Sequence, residues 1–331
     1  MANTFDVVCV GNALVDVIAH ADDGFLDAWD MVKGSMRLID EDLAHALYGQ
    51  MGPAVEASGG SAANTAAGLA SFGGQVGFVG KVAADQLGEV FAHDIRAIGV
   101  HFQQPRDGVD APTGRCLIIV SPDAERTMST FLGASSLIAP DDIDEDLIGS
   151  AQVIYNEGYL WDSPSAKSAI LKAMQTARRS GGRVAFTLSD PFCVDRHRQE
   201  FLDLAEHQVD ILFANEAEIC SLYEVESFAE AAERVAGHCD VACLTRSSAG
   251  SVVMTSDGDR IEVTAHPVPT VMDTTGAGDQ YAAGFLYGLT HGRDLENCAR
   301  LAGLAASEVI SHVGARPEVS LAELAHSHGL A

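Results

Sequence analysis

A glycine-containing segment near the carboxyl end, D-T-T-G-A-G-D at residues 273–279, constrains the chain most strongly. Gly276 and Gly278 permit a tight turn, and apolar residues recur at helical spacing from Tyr281 onward. A helix is therefore predicted to begin near Gly276. The first N–H groups of a helix have no partner within it, and the helix dipole adds partial positive charge there, so this turn is suited to bind a phosphate.

Asp279 lies in the first turn of this predicted helix. One interpretation is a surface carboxylate that stabilises the helix dipole. The other is a general base that accepts the proton of an attacking hydroxyl, while the N–H groups of Gly276, Ala277 and Gly278 stabilise the transferred phosphoryl group. The second interpretation predicts phosphoryl transfer to an alcohol.

Two distant motifs resemble signatures of the ribokinase (PfkB) family of carbohydrate and nucleoside kinases. Residues 273–279 resemble its carboxyl-terminal signature, and G-G-S-A-A-N at residues 59–64 resembles its glycine pair. Matches at residues 11–16 and 215–218 extend the resemblance over nearly the whole chain. The chain is therefore identified as a member, and membership implies ATP as phosphoryl donor with Mg²⁺ as cofactor.

Composition and charge exclude several classes of protein. The chain has 331 residues, 47% of them hydrophobic, yet no apolar run approaches the roughly 18 residues of a membrane helix. The net charge of −27 argues against nucleic acid or an anionic membrane as partner. The amino terminus is typical of a buried strand and not of a secretory signal. We expect a cytoplasmic enzyme acting on a small molecule, as a monomer or a homodimer.

Two other site types fit the sequence poorly. The seven cysteines lack zinc-site spacing, which predicts buried reduced thiols. The glycines near Gly276 do not complete a dinucleotide-binding fingerprint, because Tyr281 occupies the third glycine position. A dinucleotide-dependent oxidoreductase is therefore not expected.

Strand and helix patterns alternate along the chain, as in the strand 184–188, the helix 228–236 and the strand 241–245. This alternation predicts an α/β fold, a single domain over residues 1–331 with a largely parallel central sheet flanked by helices on both faces. Two segments, approximately 13–39 and 102–131, are rich in strands without long helices. The resemblance implies a ribokinase-like fold in which these segments form a small β-sheet lid over the acceptor.

Within the family, the chain most resembles the adenosine kinases. The matching segments occur in the same order at residues 11–16, 112–116, 187–192 and 209–216, whereas residues 157–162 differ from that group. The resemblance implies that adenosine and ATP are converted to AMP and ADP. Inosine, guanosine or a sugar such as ribose, fructose or 2-keto-3-deoxygluconate stay open as acceptors, as does a nucleoside-binding protein without catalytic activity.

The same resemblance implies the residues of the acceptor site. Asp16, Asn64 and the backbone of Gly60 would hold the ribose 2′ and 3′ hydroxyls, since a carboxylate and an amide suit a diol. The structural alternatives are a strand-end turn residue for Asp16 and a helix cap for Asn64. Asn12 and Ser61 would line the same end. The side chains expected against the nucleobase are apolar: Met128, Leu132, Leu160 and Phe192.

On the ATP side, Asn215 and Glu218 form an N-x-x-E pattern that in the family organises Mg²⁺ and its water. The alternative is an acidic helix start, and both interpretations are compatible. The nucleotide loop has a serine, Ser247, where the family has glycine, and a positive φ would be strained there. The remaining residues implied to bind the nucleotide are Thr245, Arg246, Gly250, Asp273 and Thr275.

Arginine is favoured as a phosphate ligand because the chain has only four lysines, Lys33, Lys81, Lys167 and Lys172. Arg126 is predicted for this role. Some family members are activated by K⁺, so a monovalent-cation site beside Asp273 and residues 307–314 is an open alternative by analogy.

Overall fold

Two β-sheets organise the residues that the computed structural model describes, which are 4–103, 109–123 and 125–330. Residues 104–108 and 124 of the predicted lid segment, and residues 1–3 and 331 of the predicted domain, lie outside the described residues. The strands, in chain order, are β1 (Phe5–Val10), β2 (Leu14–His20), β3 (Met36–Leu38), β4 (Ala54–Gly59), β5 (Val76–Val79), β6 (His101–Phe102), β7 (Gly114–Val120), β8 (Arg126–Phe131), β9 (Ala151–Glu157), β10 (Arg183–Thr187), β11 (Ile211–Asn215), β12 (Val241–Thr245), β13 (Ser251–Thr255) and β14 (Arg260–Val263).

Helices connect most of these strands. In chain order they are α1 (Asp23–Ala28), α2 (Glu41–Tyr48), α3 (Ser61–Ser71), α4 (Gln86–Ala97), α5 (Glu145–Gly149), α6 (Pro164–Arg179), α7 (Pro191–His207), α8 (Glu216–Tyr223), α9 (Phe228–Val235), α10 (Ala277–Thr290), α11 (Leu295–Val309) and α12 (Leu321–Ser327). Among the described residues, no helix combines the length and the apolar character needed to cross a membrane. All seven cysteines are free, and all but Cys220 are buried.

The larger sheet has the strand order β14-β13-β12-β11-β10-β9-β1-β5-β6. The strands from β12 to β6 run parallel, and β13 and β14 add an antiparallel edge. Its central strands are apolar on both sides because helices cover both faces. Val8 and Phe186 pack with α6 and α7 on one face, and Cys9 and Phe213 pack with α3 and α10 on the other. The predicted α/β class is confirmed.

The smaller sheet has the order β3-β8-β7-β2-β4. Strands β2 and β7 are parallel, and β4 and β8 pair antiparallel with them. Alternation along the strands separates two faces. One face, including Val15 and Leu117, packs into the core, and the other carries Asp16 and Ile18. Both strand-rich segments named from the sequence contribute strands to this sheet, and β4 joins it from outside those segments.

The helix predicted to begin near Gly276 begins at Ala277, so that prediction is confirmed. Gly276 has a φ of 78°, and its carbonyl accepts the N–H of Gln280 at 2.8 Å. A Cβ at Gly276 would also lie 2.6 Å from the carbonyl oxygen of Ala315. Glycine is therefore required here both by backbone conformation and by space.

Candidate active site

The candidate active site is a cleft at the carboxyl edge of the parallel strands, where ligands commonly bind in open α/β sheets. Residues far apart in the sequence meet in it because β11 and β12 end there and α3 and α10 begin there. Its lining includes Ser61, Asn215, Glu218, Thr245, Gly278 and Asp279. The two family-like motifs thus meet in one cleft.

Asp279 is held by two side chains from the start of α3. Ser61 Oγ donates a hydrogen bond to Asp279 Oδ1 at 2.6 Å, and Asn64 Nδ2 donates to Oδ2 at 3.2 Å. Burial raises the pKa of Asp279 to about 6, and the two hydrogen bonds oppose that rise. A carboxyl group with such a pKa is ionised at neutral pH and is a better proton acceptor than an ordinary aspartate.

The helix start beside Asp279 offers backbone donors. Among the described residues, the N–H groups of Gly276 and Gly278 have no hydrogen-bond acceptor, whereas the N–H of Ala277 donates to the Thr274 carbonyl at 3.2 Å. Of the three predicted donors, two are therefore available to an anion. Space is available too, since a Cβ on Gly278 would meet no atom within 4 Å.

A buried carboxylate that sequence reasoning did not select, Glu157 at the end of β9, orders the backbone beside Ser61. It accepts the backbone N–H of Asn12 at 2.8 Å, Nδ2 of Asn12 at 2.5 Å and the N–H of Ala62 at 2.9 Å. Burial raises its pKa to about 7, and the negative charge of Asp279 adds to that rise. Glu157 therefore fixes the turn after β1 against the start of α3.

Asp16 projects from β2 beside the glycine pair. A Cβ at Gly59 would lie 2.4 Å from its carboxylate, and Gly60 adopts a φ of 105° with its backbone against the Asn12 carbonyl. Burial raises the pKa of Asp16 to about 6, while the charges of Arg316 and Arg126 oppose that rise. Asp16 and the glycine pair are thus adjacent, as they must be if both are to bind the same ribose diol.

The face of the small sheet that carries Asp16 also carries Thr130 and Arg126, and beside them a group of apolar side chains. Ile18 lies opposite Ile118 in the strand register, and Ile118 lies opposite Met128. These side chains, with Cys116 and Val120, form a cluster separate from the main core. We call this surface, Ile18, Cys116, Ile118, Val120 and Met128, the apolar lid face.

The four apolar residues predicted to contact a nucleobase lie in different parts of the structure. Met128 lies on the apolar lid face. The Leu132 carbonyl lies 2.6 Å from Ser135 Oγ, which is 2.8 Å from Asn12 Oδ1, so Leu132 borders the acceptor end. Leu160 is 2% exposed and packs in the core with residues of α6, and Phe192 is 75% exposed at the start of α7.

Asn215 and Glu218 form a reciprocal helix cap at the end of β11. The Glu218 N–H donates to Asn215 Oδ1 at 2.9 Å, and the Asn215 N–H donates to a Glu218 oxygen at 2.9 Å. Burial raises the pKa of Glu218 to about 7, and the charges of Asp190 and Asp279 raise it further. The capping interpretation is therefore correct, and Glu218 and Asp279 are two carboxylates that line the cleft.

That group fits Mg²⁺, which takes few protein ligands and keeps much of its water. Among the described residues, no group of three or more His, Cys, Asp or Glu side chains is arranged to hold a metal by itself. Glu218 and Asp279 instead line the same cleft, and the negative charge of Asp279 adds to the burial that raises the pKa of Glu218. A divalent cation shared with phosphate oxygens would relieve that repulsion.

The loop after β12 contains the other nucleotide-side residues. Thr245 lines the cleft and also a neighbouring depression that includes Glu216, Cys220 and Ser247. The guanidinium of Arg246 lies 4.4 Å from the centre of the Phe228 ring and 3.7 Å from Glu216. Ser247 has a φ of 49°, so the strain expected at this position is present. Gly250 closes the loop, and its carbonyl accepts the Arg246 N–H at 2.7 Å.

Arg126 extends from β8 to the turn that precedes α10. Its Nε lies 3.0 Å from Oδ2 of Asp273, and the same carboxylate accepts the N–H of Thr275 at 3.0 Å and the N–H of Gly314 at 2.9 Å. Asp273 and the segment 307–314 are thus in contact, as the open potassium hypothesis assumes. The predicted phosphate ligand is already placed beside the turn by an ion pair.

A second arginine, Arg316, was not found from the sequence. Its guanidinium reaches Asn64, Ser58 and Asp94, and its positive charge acts on both Asp16 and Asp279. No motif marks it, because its role depends on a loop between α11 and α12 folding back over α3. The four lysines, by contrast, form ion pairs with carboxylates elsewhere in the described structure: Asp23 and Asp123, Asp142, Glu200, and Glu145.

Comparison with known proteins agrees with this geometry. A family model described as pfkB family carbohydrate kinase matches residues 35–321. The chain belongs to this family. It is therefore a kinase, and the ribokinase-like fold expected from the two motifs is confirmed.

Individual relatives differ in the acceptor that their names give. The structure of an adenosine kinase from Sinorhizobium meliloti is 53% identical, with 98% of this chain and 99% of that chain covered and a TM-score of 0.90. A probable sugar kinase from Rhizobium etli is 50% identical over 100% of both chains, with a TM-score of 0.93. A 5-dehydro-2-deoxygluconokinase from Bacillus subtilis is 27% identical over 93% of this chain and 90% of its own length.

Proposed function

We propose that this kinase transfers the γ-phosphoryl group of ATP to the 5′ hydroxyl of adenosine. The observation that carries the proposal is the apolar lid face beginning two residues from Asp16 on the same side of β2. A nucleoside has a polar diol and a flat apolar base. Asp16 is complementary to the diol, and the apolar lid face is complementary to the base. The similarity to the Sinorhizobium meliloti adenosine kinase supports the same acceptor.

In the proposed reaction, Asp16, Asn64 and the backbone of Gly60 hold the ribose diol. This places the 5′ hydroxyl near Asp279, which accepts its proton as the oxygen attacks the γ-phosphorus. The bond from that phosphorus to the leaving oxygen breaks, and ADP departs. The N–H groups of Gly276 and Gly278 and the guanidinium of Arg126 stabilise negative charge on the transferring group.

Glu218 and Asn215 would hold Mg²⁺ through its water, and the ion would neutralise phosphate charge when bound. The local charge makes such neutralisation important. Asp16, Glu157, Glu218 and Asp279 all have pKa values raised chiefly by burial, in a chain with a net charge of −27. Cations near the cleft therefore have to attract the triphosphate against the overall field.

A sugar or sugar acid is the second candidate acceptor. It is favoured by the relatives named as sugar kinase and 5-dehydro-2-deoxygluconokinase. Asp16, Asn64 and Asp279 would serve sugar hydroxyls equally well. The apolar lid face would then lie against hydroxyl groups, and its own five side chains offer them at most weak hydrogen-bond partners, which is unfavourable.

The test is ADP release with a panel of acceptors: adenosine, inosine, guanosine, ribose, fructose, 2-keto-3-deoxygluconate and 5-dehydro-2-deoxygluconate. We expect the highest kcat/KM with adenosine, with AMP as the product. The Asp279→Asn variant and an assay without acceptor correct for contaminating kinase and for ATP hydrolysis. A higher kcat/KM with a sugar acid would replace the proposal by the second candidate, and silence with every acceptor would contradict both.

A further inference from the structure

Arg316 is a largely buried cation at the acceptor end of the cleft, with its side chain 19% exposed. Its Nε donates to Asn64 Oδ1 at 3.2 Å, and one terminal nitrogen lies 2.6 Å from Ser58 Oγ and 3.2 Å from Asp94 Oδ2. Asp94, on α4, also accepts the backbone N–H of Ser58 at 2.8 Å. The arginine therefore connects α4, the end of β4 and the start of α3.

The contact with Asn64 fixes the orientation of its amide group. Asn64 Oδ1 accepts from Arg316, while Asn64 Nδ2 donates to Asp279 Oδ2. A guanidinium has only donors and an ionised carboxylate only acceptors. Reversing the amide would place donor against donor at one end and acceptor against acceptor at the other. Arg316 thus determines which end of Asn64 faces Asp279.

The backbone around Arg316 is held independently of its side chain. Gln280, fully buried next to Asp279 in α10, donates from Nε2 to the carbonyls of Asn64 and Ala315, each at 3.0 Å. Ala315 also packs against Gly276. The segment carrying Arg316 is therefore fixed to both helix starts that form the cleft.

We propose that Arg316 is a positioning residue for phosphoryl transfer: through the Asn64 amide it holds the Asp279 carboxylate in the orientation that accepts the acceptor's proton. The inference rests on the proposed function, in which Asp279 is the base. Small displacements of a reacting group are costly, since a misplacement of about 1 Å can reduce turnover roughly 100-fold. Arg316 need not touch the substrate to have this effect.

Charge gives a second, separable effect. The negative charge of Asp16 raises the pKa of Asp279, and the positive charge of Arg316 lowers the pKa of Asp279. Glu157, Glu218, Tyr155 and Tyr159 are also close enough for their pKa values to be raised by Asp279. Removing the positive charge of Arg316 should therefore move the acid limb of activity to higher pH, since the base is then protonated over a wider range.

The experiment compares Arg316→Met and Arg316→Lys with the wild type, using Arg179→Met as the control. Arg179 is an exposed arginine at the end of α6, paired with Glu145 away from the cleft. For Arg316→Met we expect kcat at pH 8.5 to fall by about 10- to 100-fold with the KM for ATP within about threefold of wild type. Arg316→Lys should keep the acid limb in place and recover only part of kcat.

The decisive comparison is made in the Asn64→Ala background at pH 8.5, where Asp279 is ionised. If Arg316 acts through Asn64, adding Arg316→Met should change kcat by no more than about twofold, because the connecting amide is already gone. Multiplicative losses would overturn the proposal and indicate direct action of Arg316 on a substrate. If the methionine variant does not fold, Arg316→Lys carries the test, and an unchanged kcat would contradict the proposal.

A readout independent of activity separates this inference from the proposed function. The side-chain ¹⁵N–¹H resonances of Asn64, assigned by their absence in Asn64→Ala, should shift in Arg316→Met and not in Arg179→Met. Unshifted resonances would overturn the role of Arg316 even in an active enzyme. If the wild type phosphorylates none of the acceptors while the resonances shift, the proposed function fails and the contact between Arg316 and Asn64 stands.

Discussion

Arg126 and Asp273 form a buried ion pair, with Nε and Oδ2 3.0 Å apart and side chains 6% and 7% exposed. The arginine belongs to β8 of the small sheet, and the aspartate precedes the turn that begins α10. The pair therefore connects β8 of the small sheet to the turn that precedes α10. Asp273 also binds Thr275 and Gly314, so its own position does not depend on the arginine alone.

Arg126→Met should destabilise the protein, because it leaves the Asp273 carboxylate buried without its cation. Breaking such a pair typically costs about 3–5 kcal/mol of unfolding free energy. Urea denaturation measures this loss of unfolding free energy. In the double variant Arg126→Met/Asp273→Asn, the loss should be smaller than the sum of the losses in the two single variants. Lys33→Met, which removes a solvent-accessible cation from the turn before β3, should destabilise the protein much less than Arg126→Met. If Lys33→Met and Arg126→Met lowered the unfolding free energy equally, the ion pair between Arg126 and Asp273 would have no special structural importance.

Asp279→Asn should lower kcat by about 10²- to 10⁴-fold, the usual contribution of a general base. The amide can still accept from Ser61, which donates to Asp279 in the wild type, so we expect the variant to fold. Initial rates of ADP release and a thermal melt of the same sample are the measurements. A folded variant that retains more than a tenth of the wild-type kcat would exclude Asp279 as the base.

The free enzyme should lose stability as pH rises from about 4 to 7. Burial raises the pKa values of Asp16 and Asp279 to about 6 and those of Glu157 and Glu218 to about 7. The folded state therefore binds protons more tightly than the unfolded state across this interval, and the unfolding free energy falls as these protons leave. Thermal melts between pH 5 and pH 8 measure the slope.

Glu157→Gln should flatten that slope, because it removes a fully buried group that titrates in the interval. Glu233→Gln, at an exposed position of α9, provides the matched control and should leave the slope unchanged. The same slope in Glu157→Gln as in the wild type would show that repulsion within the chain of net charge −27, and not this carboxyl group, dominates the pH dependence.

Ile18→Ser should lower kcat/KM for adenosine more than kcat/KM for ribose. Ile18 belongs to the apolar lid face, and replacing its apolar atoms removes contact area worth roughly 0.8 kcal/mol per methylene group. We expect kcat/KM for adenosine to fall about tenfold, with a much smaller change for ribose, which has no base. Ile98→Ser, at the exposed position that follows α4, is the control. Equal losses with both acceptors would mean that the base does not lie on this face.

Much of the fold was predictable because its elements carry local patterns. The helix predicted at 228–236 is α9, the strand predicted at 241–245 is β12, and the glycine turn begins α10. These features depend on periodicity and on backbone freedom within a few residues. The small sheet was harder, since β4 has few β-branched residues and joins the sheet by pairing with β2.

The site could be predicted only where a motif marks it. Asp279, Ser61 and Asn64 were found in this way, and the structure brings them into hydrogen-bond contact. Glu157 and Arg316 were missed because each acts through a tertiary contact, 145 residues from Asn12 in one case and 252 residues from Asn64 in the other. Nothing in their neighbouring sequence distinguishes them from ordinary surface charges.

Ser247 stands where the family has glycine, and the effect of this difference on stability can be tested. Its φ of 49° is left-handed, a conformation that costs a residue with a Cβ roughly 1–2 kcal/mol relative to glycine. Because glycine also loses more chain entropy on folding, we expect Ser247→Gly to raise the unfolding free energy by only about 0.5–1 kcal/mol. Ser248→Gly, at the next exposed position of the same turn, has no positive φ to relieve and should lower it by a similar amount. Urea denaturation of the two variants measures both effects, and destabilisation by Ser247→Gly would mean that the serine side chain stabilises the loop by more than its backbone strain costs.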